Sequence, residues 1–171
     1  MSYLLSPPFD RPPRQAKVLQ FLRSKALRDG GYSALDEATR REALLDKLWQ
    51  ESPASSEVVY HALRMRLRLA LALAKVAVAR RMASPKTKSY CIQAMESGID
   101  CMRDAARELE ALEKQVQPGP NEVSSAQLWE FHRKLLGIWD TAKKRDDTSV
   151  IRAIDLEALA GEILRPTKAG S

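Results

Sequence analysis

Arg64, Arg68 and Lys75 stand four and seven residues apart within HALRMRLRLALALAKVAVARRM, the stretch from His61 to Met82. At about 100° per residue they fall on one narrow stripe of a helix. A row of cations at that spacing can do one of two things. It can neutralise phosphate oxygens, or it can pair with acidic side chains of a neighbouring helix. Arg80 and Arg81 close the same stretch, Arg40 and Arg41 with Lys47 mark an earlier segment, and Lys143-Lys144-Arg145 a later one. Taken singly, the runs at helix ends complement the negative end of a helix dipole. Arg40, Arg41, Arg64, Arg68, Lys75, Arg80 and Arg81 are the candidate nucleic-acid-binding set.

Other chemistries find little to work with. His61 and His132 are far apart and lie on different predicted helices. The chain has no HExxH, no CxxC pair and no calcium-type acidic loop, so no metal site is expected. It has no Walker-type glycine loop and no GxGxxG, so no nucleotide cofactor is expected. No serine stands in a recognisable nucleophile setting. Glu108-Glu110 and Asp146-Asp147 read as solvated charges at helix faces and ends. A non-enzymatic protein is the expectation.

Composition narrows the partners. A chain of 171 residues with 44% hydrophobic residues fits one domain, or one with a small appendage, and can bury a real core. Aromatics are only 6%, so leucine, alanine and valine must fill most of it. The net charge of +6 favours acidic partners, nucleic acid before a membrane surface. Cys91 and Cys101, ten residues apart on one predicted helix, lie about 15 Å apart along its axis and cannot bridge there. Two reduced thiols in an intracellular, reducing compartment are expected. The opening MSYLLSPPFDRPPRQ shows no secretory signal, and the charges inside the central apolar run argue against a membrane span.

The elements that must position these residues are helices throughout. The expected organisation is a proline-rich arm over 1–13, a helical core over 14–117, a linker over 118–124 and a C-terminal helical segment with a polar tail over 125–171. Asp29-Gly30-Gly31 ends a first helix, and Ser33 can cap a second that carries Leu44, Leu45 and Trp49. The central helix to about Met82 is apolar nearly all round, so several neighbours must bury it. Ser84-Pro85 breaks it. A fourth helix over about 87–116 places Ile92, Met95, Ile99, Met102, Ala106, Leu109 and Leu112 at three-four spacing, which predicts an antiparallel hairpin with the central helix. Beyond Pro118-Gly119-Pro120, Ser124 or Ser125 can cap a fifth helix that ends at Arg145-Asp146-Asp147, and a short last helix covers about 154–164. The fold class is all-α, a bundle of five to six helices around a long central hairpin.

In the N-terminal half, about residues 14–82, Phe21, Trp49 and Tyr60 follow one another at spacings of 28 and 11 residues, and EALLDKLWQ supplies a leucine pair before the tryptophan. This pattern resembles an HMG box. The resemblance implies that the three aromatics form the core of an L-shaped three-helix unit, and that the unit binds the DNA minor groove with little sequence preference. It also implies a wedge residue near Leu19. The third helix departs from the family pattern, being apolar where the family's is lysine-rich.

Two functional readings follow. One is a nucleic-acid-binding helical protein that works through the phosphate backbone. The other is a structural or adaptor subunit that packs on other protein subunits. For the second, Trp129 is the candidate anchor, because Trp129 and Phe131 are two residues apart on one helix and cannot both face the bundle.

Overall fold

The computed structural model describes residues 39–40, 57–115 and 123–165. Among the described residues five α-helices run in order: α1 (Glu57–Arg81), α2 (Lys88–Glu113), α3 (Ser125–Arg145), α4 (Ser149–Arg152) and α5 (Leu156–Ile163). A 3-10 turn, Pro85–Thr87, joins α1 to α2. No strand occurs among these residues, and the fold is all-α. Of the second expected helix, Thr39 and Arg40 are described; both are helical and exposed. Leu19, Phe21, Arg41 and Trp49 lie outside the described residues.

Cross-helix contacts set the register. His61 meets Glu108, Lys75 meets Ser97, and a side chain added at Gly98 would meet Ala72 and Val76. Partner numbers on α2 fall as those on α1 rise, so the two run antiparallel along most of their length. The close approach depends on small residues. An ideal Cβ on Gly98 would lie 3.1 Å from Val76 Cγ2 and 3.3 Å from the Ala72 carbonyl oxygen. Alanines at 70, 72, 74, 77 and 79 keep α1 slim enough for neighbours on several sides.

α3 packs antiparallel on the other side of α2: Ser125 and Trp129 bond to Glu113 and Glu110, and Lys88 reaches Asp146 at the far end. α4 and α5 close the remaining side, packing on both α1 and α3. Gln127 Nε2 donates to the Ile163 carbonyl at 3.0 Å and also to that of Arg165, returning the chain to the start of α3. One apolar core runs through all five helices, from Met65 of α1 to Leu164 just after α5.

Local signals explain the helix ends. Ser124 settles the choice of cap for α3. Its hydroxyl accepts from the Gln127 amide while the Gln127 side chain accepts from the Ser124 amide, a reciprocal capping box. Ser125 instead turns both its amide and its hydroxyl to the Glu113 carboxylate. At the other end Asp146 adopts the left-handed conformation, with φ of 49°, that ends a helix. The one-turn α4, which the periodicity does not announce, follows at once. It carries Ile151 into the core.

Candidate functional site

The stripe on α1 is turned largely into the fold. Lys75 is half-buried; its Nζ donates to Ser97 Oγ at 2.6 Å and lies 3.6 Å from Cys101 Sγ. Arg64 donates to the Tyr60 hydroxyl at 3.2 Å, and its Nε lies 3.7 Å from the Glu108 carboxylate. Arg68 is half-buried on the same stripe. Of the two roles open to these cations, Arg64 takes the pairing role with an acid of the neighbouring helix, and Lys75 binds a neutral partner there. Arg66, outside the stripe, is buried to 8% exposure, which the apolar reading of this helix did not single out.

The three glutamates near the end of α2 are not merely solvated. Carboxylates at a helix C-terminus oppose the helix dipole, so they need compensating partners. Glu108 accepts from His61 Nδ1 at 2.9 Å and stands beside Arg64; Glu110 accepts from Trp129 Nε1 at 3.1 Å; Glu113 accepts from Ser125. Glu108 thus ties α2 to α1, while Glu110 and Glu113 tie it to α3. Tyr60 is buried and sets its ring edge-on to His61, with centroids 5.2 Å apart. Among the described residues no group of three His, Cys, Asp or Glu side chains could hold a metal ion. Both cysteines are buried and unbridged, and burial raises the Cys91 thiol pKa.

Phe131 is fully buried, whereas Trp129 sits half-buried on the rim of the core, its ring edge-on to His132 at 5.6 Å. The Glu110 bond and the His132 ring hold it against the bundle. Leu136, seven residues further along the same face of α3, is exposed.

Six exposed cations gather at one end of the bundle, while Arg107, Lys114, Arg133, Lys134 and Arg165 are exposed elsewhere on it. The antiparallel order brings the C-terminal ends of α1 and α3 and the start of α2 to one pole of the bundle. There α1 contributes Arg80 and Arg81, the following turn Lys86, α2 Lys88, α3 Lys143, Lys144 and Arg145, and α4 Arg152. Two bonds fix this assembly. Lys88 Nζ meets Asp146 at 2.5 Å, and Arg152 donates to the Ala83 carbonyl just beyond α1. Arg81, Lys86, Lys143, Lys144, Arg145 and Arg152 are exposed; Arg80 and Lys88 are half-buried.

The carboxylates near this pole are Asp140, beside Lys143 at 3.5 Å, Asp146 on Lys88, and Asp147, which accepts from Ser149. Those Ser149 bonds hold the Asp147 carboxyl below its usual pKa. No Asp or Glu stands between Glu57 and Glu96, so the whole of α1 after its first residue and the first two turns of α2 carry no negative side chain.

Among the described members of the candidate set, Arg80 and Arg81 belong to this pole, and Arg41 lies outside the described residues. Arg64, Arg68 and Lys75 lie along the hairpin seam, and Arg40 is exposed on its own short helical piece. Lys143-Lys144-Arg145 taken alone fits the dipole of its own helix. Only the register of the helices brings it to the same end of the bundle as Arg80 and Arg81. No described helix is long and apolar enough to cross a membrane. Comparison with family models, with curated protein sequences and with solved structures finds no match to this chain.

Proposed function

We propose that this chain is a non-enzymatic helical protein that binds nucleic acid through the phosphate backbone, with little sequence preference, using the basic pole rather than the α1 stripe. The observation that carries the reading is the convergence of Arg80, Arg81, Lys86, Lys88, Lys143, Lys144, Arg145 and Arg152 at one end of the bundle. Cations drawn from four helices and a connecting turn form a broad rather than a linear patch. A patch of that kind neutralises several phosphates at once without reading base edges. The HMG-like reading of the N-terminal half remains a proposal resting on Phe21, Trp49 and Tyr60, with Leu19 as its wedge. It would place a second DNA-binding unit on the same chain.

Fluorescence-anisotropy titration of a labelled duplex tests the proposal. Reversing Lys143, Lys144 and Arg145 together to glutamate should abolish binding at micromolar protein, whereas Lys75→Met should leave affinity unchanged. The opposite pattern would return the site to the stripe.

A second reading, a subunit docked on other proteins through α3, has one specific support. Half-buried Trp129 and exposed Leu136 lie seven residues apart on one face of that helix. Sedimentation of the isolated chain separates the two readings. A strict monomer that binds the duplex supports the first, and self-association abolished by Leu136→Glu supports the second.

A further inference from the structure

Among the described residues one aromatic side chain stands largely in water. Tyr90 is 63% exposed, while Tyr60, Phe131 and Trp139 are buried and Trp129 is held on the rim by Glu110. Core duty in the first turn of α2 falls to Cys91, so the bundle gains nothing from a ring at position 90. A single exposed ring is ordinary on a protein surface, and it is the charges around this one that give it a use.

The position of the ring gives the class of ligand. Tyr90 lies in the first turn of α2, at the basic pole, within two to four residues of Lys88 and Lys86. Seven residues on, on the same helix stripe, Ser97 hydrogen-bonds Lys75 of α1. Tyr90 therefore lies on the edge of α2 that borders α1, beside its last turn with Arg80 and Arg81. The nearest carboxylate along the chain in either direction is Glu96. An exposed ring inside a cationic surface combines a face for a base with charges for the adjoining phosphates. A paired base in a duplex has no free face to offer it.

Building on the phosphate-binding reading above, we infer that the basic pole prefers a nucleic-acid strand with unpaired bases, and that Tyr90 stacks on one of them. The phosphates flanking the stacked base rest on Lys86 and Arg81, while Lys88 stays on Asp146. The ring selects unpaired over paired strands, not one base over another, because every base has a π-face.

The test uses the full chain with two fluorescent probes, an oligodeoxythymidylate and a duplex of equal length. The single strand should bind more tightly than the duplex. Tyr90→Ala should weaken single-strand binding on the order of ten-fold, the loss of one base–aromatic stack. Tyr90→Phe, which keeps the ring, should retain wild-type affinity. Neither variant should change duplex affinity or the salt dependence, because the cations remain. If Tyr90→Ala binds both probes as the wild type does, the stacking role is overturned while the phosphate-binding reading stands. If Tyr90→Ala weakens both probes equally, the selective role is overturned too. If the wild type binds neither probe, the phosphate-binding reading falls and this inference with it.

Discussion

Lys75 Nζ and Ser97 Oγ meet at 2.6 Å, joining α1 to α2 in the middle of their hairpin. The bond decides what the most conspicuous cation stripe of this chain is for. A lysine that crosses a helix seam to a hydroxyl is packed for stability, and its stem covers apolar surface on the way. Lys75→Met should therefore lower stability by about 1 kcal/mol, the net worth of one such hydrogen bond, and leave nucleic-acid affinity unchanged. Urea unfolding and anisotropy on the same variant check both halves.

Two helical glycines, Gly98 and Gly137, should respond in opposite directions. Gly98 has Val76, the Ala72 carbonyl and Lys75 within 3.1 to 3.4 Å of where a Cβ would stand, whereas Gly137 has nothing within 4 Å. Gly98→Leu should wedge the hairpin apart and cost about 3 kcal/mol, the upper end of overpacking penalties. Gly137→Ala should stabilise by about 1 kcal/mol through helix propensity alone. Urea midpoints of the two variants are the measurement. Equal shifts of the same sign would contradict the close approach of α1 and α2.

The capping box at Ser124 is worth a defined amount. Ser124→Ala should cost about 1 kcal/mol, since the Gln127 amide loses its acceptor. Ser125→Ala should act differently, by releasing Glu113 rather than by uncapping α3. Helical circular dichroism followed through urea denaturation distinguishes a frayed α3 from a loosened α2–α3 seam.

Stability should fall on mild acidification. Burial, followed by the charge of Arg103 and then of Arg107, pushes His132 below its ordinary value of 6.5, with Asp100 acting against them. As pH falls through 6.5 the unfolded chain takes up the proton before the folded one does. The folded state therefore loses stability from there down to the depressed native value, and above 6.5 the group has no effect. Between about pH 7.5 and about pH 5.5, the urea midpoint of the wild type should drop more steeply than that of His132→Gln. Parallel profiles would mean that His132 protonates equally well in both states.

Much of the scaffold was legible from periodicity. The apolar circumference of α1 demanded several neighbours, and the three-four spacing from Ile92 to Leu112 named α2 as one of them. Ser124 or Ser125 and the Arg145-Asp146-Asp147 stop bounded α3 to within a residue or two, because capping is written in local sequence. The one-turn α4 escaped, since four residues are too few to establish a period. Glu108 and Glu110 looked like solvated charges because their partners, His61 and Trp129, are 47 and 19 residues away. The basic pole was hidden for the same reason. Arg80-Arg81 and Lys143-Lys144-Arg145 each fit the dipole of their own helix, and only tertiary register brings them to one end of the bundle. Nothing in the sequence marked Tyr90, because an isolated tyrosine in a helix is as often buried as exposed.

The salt dependence of binding tests the central claim most directly. If the pole neutralises roughly five duplex phosphates, the logarithm of the association constant should fall with the logarithm of salt concentration at a slope of about −4. Replacing Lys143, Lys144 and Arg145 by serine should flatten that slope by about two to three. Absence of binding at micromolar protein in low salt, or binding that ignores salt, would contradict the account.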